Sequence, residues 1–245
     1  MVKIMFKQRG ANNGVNHPCG PRQTPIAYSL LKLKLREVME TEGIKANDRS
    51  VGVRARKSDQ PGQLLLFARN FFKHPRMLGT PIPSSRPLIQ EVLNRVNWRE
   101  TRMIVEYGPG VGNITAEILR RMHPQATLLG IETNPEFIPY LRGSLVDSRL
   151  HVAHGSAAAV DGLLAQYKCP AADCIISGIP FSTMPKAAGD EILWATRSVL
   201  QPRGAFVVYQ YSRQIFPSLK KVFGQVSRNF MLLRMIPIWL FHCQR

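Results

Sequence analysis

The chain is predicted to fold as an α/β protein: a Rossmann-like, doubly wound, mostly parallel seven-stranded sheet with a terminal antiparallel hairpin. Three observations predict it. Short apolar runs recur at 102–107, 126–132, 149–154, 172–177 and 204–210, with helical patterns between them. That alternation calls for parallel strands joined by right-handed crossovers. The first run ends in Glu106 and leads into glycines at 108, 110 and 112, the punctuation of a strand that turns sharply into a helix. The last apolar stretch, 230–242, is interrupted by Arg234 and Pro237. It is too short to cross a bilayer and reads as a strand pair closing the sheet.

Taken in order, residues 1–60 form a basic, weakly ordered N-terminal extension. They lack sustained periodicity and are rich in Gly, Asn and Pro between positions 10 and 25. The alternating strand and helix pattern belongs to a second unit, 61–245. It opens with an amphipathic helix at 63–76, where Arg69, Lys73 and Arg76 share one face beside Leu65, Phe67, Phe71 and Phe72. Such a helix suits a membrane interface with its bases toward phosphates, or a sheet-packed position with a solvated basic edge. Pro75 ends or kinks it. A proline-rich loop at 78–86 leads to a helix at 87–96, with Ser84 or Ser85 as its cap. The next helix, 113–122, directs its free amides at whatever lies beside the glycine loop. His151 and His154 fall on a strand and read as structural.

The residues around the glycine loop select its ligand. A carboxylate before the first glycine disfavours a pyrophosphate and favours a ligand with an ammonium and a sulfonium. Glu106, Gly108, Gly110 and Gly112 therefore read as a site for S-adenosylmethionine rather than a dinucleotide. The strand at 127–131 ends in Glu132, twenty residues after Gly112, where an acid takes ribose hydroxyls in doubly wound sheets.

Net charge is +17, unevenly spread: +7 over 1–60, +5 over 61–102, −2 over 103–200 and +7 over 201–245. A slightly acidic cofactor region between basic flanks implies an anionic partner, either a phosphate backbone or anionic lipid. Cysteines 19, 169, 174 and 243 lack metal-site spacing and read as free thiols in a reducing cytosol. No secretory signal or membrane-spanning run is present. The expected location is cytoplasmic, peripherally associated with the inner face of the membrane; no metal is expected.

The order of glycine loop, Glu132, Gly155-Ser-Ala157 and Ser177-Gly-Ile-Pro-Phe181 resembles class I S-adenosylmethionine-dependent methyltransferases. The loop at 83–86, the stretch 177–180 and the run 206–211 are similar to those of bacterial phospholipid N-methyltransferases, relatives of the ribosomal RNA adenine dimethylases. The resemblance runs from about residue 71 to the C-terminus. It implies that Glu106 and the three glycines surround the methionine part of the cofactor and that Glu132 holds the ribose. Ser156 stands where the family carries an aspartate for the adenine amine, and Ala157 supplies a backbone N–H to the ring. It also implies catalytic positions at Ser177, Pro180, Phe181 and Tyr211. Adenine methyltransferases of this kind hold the base amine with Asn or Asp where this chain has Ser177. The expected activity is methylation of a phosphatidylethanolamine amine, once or several times, at an anionic membrane surface. Alternatives are an RNA adenine N6-methyltransferase or a non-catalytic adaptor of the same fold. Phe181, Tyr209 and Tyr211 would face a methylated ammonium. His74, Glu106 and Tyr211 are candidates for a general base.

Overall fold

The computed structural model describes residues 85–169, 171–233 and 236–245. The extension 1–60, its boundary at 61, the helix at 63–76 with Arg69, Lys73, His74 and Arg76, and Ser84 lie outside the described residues.

The described chain begins with α1 (Arg86–Leu93), then β1 (Met103–Tyr107), α2 (Asn113–Arg121), β2 (Thr127–Glu132), α3 (Phe137–Ser144) and β3 (Leu150–His154). It continues with α4 (Val160–Gln166), β4 (Ala172–Ser177), α5 (Lys186–Val199), β5 (Leu200–Gln210), α6 (Phe216–Phe223), β6 (Val226–Leu233) and β7 (Ile236–Gln244). The sheet order is β3-β2-β1-β4-β5-β7-β6. β1 to β5 run parallel, and β7 is antiparallel to both β5 and β6. The chain reverses direction between β1 and β4, the point at which open α/β sheets bind ligands beyond their strand ends.

Strand alternation sorts the core into two layers. Val105, Tyr107, Ile175, Phe206 and Val208 face one side and pack with Leu164 of α4, Leu193 of α5 and Leu219 of α6. Ile104, Cys174, Ile176, Val207 and Tyr209 face the other and pack with Val92 of α1 and Ile118 of α2. β1 is buried at every position because it lies mid-sheet with helices on both faces. The Tyr107 hydroxyl meets Thr196 Oγ1 of α5 at 3.2 Å, which ties the central strand to its covering helix. Beneath β1, the Asp173 carboxylate accepts the amides of Arg102 and Met103, each at 2.8 Å.

Several local expectations need correction. Ser85 occupies the cap of α1, but its side chain makes no capping hydrogen bond. Pro87 in the first turn removes one of the amides such a cap would satisfy. The helix stops at Leu93 rather than 96, where the Trp98 indole donates to the Leu93 carbonyl at 3.0 Å. β5 begins at Leu200 and β6 at Val226, both earlier than their apolar runs. β3 is an edge strand, so His154 is exposed and contacts the Thr133 carbonyl at 3.1 Å. His151 stacks on Tyr167 with ring centroids 4.6 Å apart.

Candidate active site

Three loops meet at the carboxyl rim of the sheet, each fastened to a neighbouring strand. The Gly108 amide donates to the Ile131 carbonyl at 2.9 Å, Gly155 to Glu132 at 3.0 Å and Gly178 to Tyr107 at 3.1 Å. These bonds bring the glycine loop, the 155–157 turn and the 177–181 loop to one end of adjacent strands.

Gly108, Gly110 and Gly112 all have positive φ, at 71°, 57° and 82°. Two are also confined. A Cβ on Gly108 would sit 2.9 Å from Ile179 Cγ2, and one on Gly112 would sit 2.8 Å from Leu141 and Leu145 side-chain carbons. A Cβ on Gly110 would meet open space. The loop therefore packs tightly at both ends and presents bare backbone in the middle, a cradle for a ligand. Gly112 caps α2 and leaves that helix's first amides facing the same region. At the far end of α2, the Arg149 guanidinium donates to the Leu119 carbonyl at 2.8 Å.

Two acids line this cradle. Glu106 is 3% exposed and accepts a 2.7 Å hydrogen bond from Thr115 Oγ1 on α2. Burial pushes its carboxyl up to about 7; the Thr115 bond opposes that shift and the neighbouring Glu132 charge adds to it. Glu132 accepts the Gly110 amide at 3.0 Å and the Asn134 amide at 2.9 Å. Burial also holds Glu132 above the usual carboxylate range, against those amide bonds. Two buried carboxylates side by side, both reluctant to ionise, favour a cationic ligand that settles their charge. The ammonium and sulfonium of S-adenosylmethionine would meet that requirement. Ser156 is exposed, and its Oγ accepts the Ala158 amide at 3.2 Å, so part of its capacity serves its own turn. Ala157 beside it is buried.

The acceptor loop follows β4. Ser177 is fully buried, and its Oγ has no hydrogen-bond partner among the described residues. A Cβ at Gly178 would overlap the Tyr209 hydroxyl, so glycine here lets Tyr209 of β5 lie directly against the loop. Pro180 is half-buried at the loop's turn. Phe181 instead packs into the α5 side of the core, 8% exposed, which removes its ring from the set of faces free to meet a cation. Tyr211 lies just past the end of β5, partly buried against the layer that contains Tyr209. Burial drives its phenol well above the ordinary tyrosine value, so it stays a neutral hydroxyl and does not serve as a base near neutral pH.

Thr115, Asn134, Ile179 and Gln210 escape sequence reasoning. Thr115 is recognisable only once α2 is seen to place it under Glu106. Gln210 is 2% exposed, with its Oε1 unpartnered among the described residues. It lies inside the run 206–211, but no spacing rule singles it out.

Comparison with known proteins agrees with this geometry. A family model described as ribosomal RNA adenine dimethylase matches residues 72–167. The ornithine lipid N-methyltransferase of Singulisphaera acidiphila is 29% identical over 167 residues, covering 64% of this chain and 87% of that protein. Among solved structures, precorrin-6y C5,15-methyltransferase from Geobacter metallireducens superposes with a TM-score of 0.54 at 15% identity, covering 66% of this chain and 91% of its own. The N-methyltransferase NodS from Bradyrhizobium japonicum, in complex with S-adenosyl-L-homocysteine, does so at 0.53 and 12% identity, covering 66% and 88%. With this strand order and a glycine cradle between two buried acids, the chain is an S-adenosylmethionine-dependent methyltransferase with the class I fold, similar in sequence to a lipid N-methyltransferase.

Proposed function

We propose that the enzyme methylates the headgroup amine of a phospholipid, phosphatidylethanolamine in the first instance, at an anionic membrane surface on the inner face of the cell membrane. The observation that carries this reading is the acceptor loop. Ser177 offers a buried hydroxyl, without a hydrogen-bond partner among the described residues, where adenine methyltransferases carry an amide or acid. The rRNA dimethylase match ends at residue 167, ahead of this loop. It therefore bears on the cofactor half rather than the acceptor. The lipid-modifying relative supports an amino lipid as substrate class.

The cofactor supplies an electrophilic methyl group. The protein's own task is to deliver an amine with a free lone pair, in line and out of water. A primary headgroup amine is protonated near neutral pH, with a pKa of roughly 10 as for lysine. Desolvation beside Tyr209, Tyr211 and the buried Ser177 disfavours that cation. Ser177 Oγ can accept a hydrogen bond from the neutral amine, while the Tyr211 face favours the methylated ammonium once formed; the Tyr209 ring, 6% exposed, packs in the core like Phe181.

Mass spectrometry of lipids from cells expressing the chain tests the reading. Mono-, di- or trimethylated phosphatidylethanolamine should appear, and Tyr211→Ala should shift the pattern toward mono- and dimethyl forms. Methylation confined to ornithine lipid would move the substrate to that headgroup. RNA adenine methylation without any lipid product would establish the RNA reading.

A further inference from the structure

We infer that the outer face of β6, with the adjoining end of α6, is a second membrane-docking surface that lays the acceptor end of the sheet against an anionic bilayer. The inference deepens the lipid reading and rests on it for its purpose, but not for its test.

β6 is the edge strand. Asn229 pairs with Leu240 and Met231 with Ile238, on the face where Met231 and Leu233 pack against the core. Arg228, Phe230 and Leu232 alternate onto the other face. There Phe230 is 54% exposed and Leu232 57% exposed. This apolar pair is framed by aromatics and bases. Phe230 packs on Trp239 with ring centroids 5.0 Å apart. Arg228 and Lys220 lie over the Phe216 ring at 5.0 Å and 5.8 Å. Half-exposed apolar side chains next to rings and cations have the composition of an interfacial anchor.

Register places this surface at the rim of the active site. Ser177 pairs with Val208, Val208 with Phe241 and Phe241 with Arg228, so all four share one rung and one sheet face. Phe230 belongs to the rung of Gln210 and Trp239, nearer the carboxyl rim of the sheet, and Leu232 lies farther still in the same direction. Three strand spacings and two residue rises put Phe230 roughly 15 Å from Ser177. A bilayer touching Phe230 and Leu232 would thus present headgroups within a lipid's length of the acceptor loop.

Charge selects the occupant. Residues 201–245 contain seven bases and no acid. A second copy docking symmetrically on this face would set Arg228 and Lys220 against their own equivalents, whereas an anionic bilayer neutralises them. RNA would also attract the bases, but it would leave the aliphatic Leu232 without an apolar environment.

The test is flotation of the full chain with phosphatidylglycerol–phosphatidylcholine vesicles, using Phe230→Ser/Leu232→Ser, Arg228→Glu and Phe230→Trp. Losing the two apolar groups should lower partition roughly tenfold. Arg228→Glu should weaken binding to anionic vesicles and not to neutral ones, and Phe230→Trp should keep wild-type binding. Calorimetric affinity for S-adenosylmethionine should stay unchanged in all three. Methylation of a short-chain monomeric amino lipid should survive the double serine change while methylation of the same headgroup in vesicles falls. Wild-type flotation by the double variant overturns the proposal. So does a change from dimer to monomer on light scattering, or loss of RNA binding in place of vesicle binding. If no amino lipid is methylated in any form, the proposed substrate fails and the flotation result still decides this surface.

Discussion

At the scale of single residues, Glu106 is the most informative group. Its carboxyl is pushed up to about 7 by burial. A raised acid pKa stabilises the ligand-free protein fully below the ordinary value of 4.5, and that contribution is lost as pH rises through about 7. A shift of that size corresponds to about 3 kcal/mol. A cationic ligand reverses the preference, because it favours the ionised form. Binding of S-adenosylmethionine near pH 6 should therefore release a large part of one proton, and affinity should rise with pH up to about 7. Calorimetry in buffers of differing ionisation enthalpy measures the release, and Glu106→Gln should abolish it. The same variant should lose about 2 kcal/mol of binding, the worth of a hydrogen bond to a charged group. The acid itself is legible in the sequence as the residue before the glycines. Its protonation is not, because that follows from Thr115 and Glu132 meeting it in three dimensions. Ser156 shows the converse limit. Its hydroxyl can be assigned to a ligand on paper, yet it caps its own turn.

At the scale of elements, the loops after β1 and β4 are proposed to divide the labour of holding the cofactor and placing the acceptor. Gly108→Val should abolish measurable cofactor binding by calorimetry, since φ is +71° and its Cβ would press on Ile179. Gly178→Ala should behave differently. Its methyl would collide with the Tyr209 hydroxyl, displacing the ring over the acceptor loop. Turnover should fall by tenfold or more while cofactor affinity holds, an effect of geometry at the reacting end. Loss of both would show that Tyr209 supports the cofactor loop instead. Strands mid-sheet are readable because both faces are buried and the apolar runs are continuous. The beginnings of β5 and β6 are not. β5 passes through Pro202 and Arg203, the latter at φ +67°, and its pairing with β4 shifts register between Ala172 and Cys174. After Val226, β6 runs through Ser227, Arg228 and Asn229, all exposed, so its pattern resembles a loop. Phe181 illustrates a residue whose element is predicted and whose role is not: the turn exists, but its ring packs inward.

At the scale of the molecule, charge and topology point the same way. The near-neutral middle of the chain holds the cofactor cradle, and the bases lie before and after it. Antiparallel insertion of β7 makes the edge strand, β6, parallel to β5 and carries Phe230 and Leu232 to the rim at which the acceptor loop lies. The hairpin is legible from the apolar stretch that ends the chain; that its edge strand leaves part of this stretch in solvent is visible only in three dimensions. The described helices include none long and apolar enough to cross a membrane. The most direct measurement is a competition: purified chain, S-adenosylmethionine labelled in the methyl group, anionic vesicles containing phosphatidylethanolamine, and ribosomal RNA in one reaction, followed by separation of lipid from nucleic acid. The account predicts label in the lipid headgroup and little in RNA; label in RNA adenines with none in lipid would contradict it.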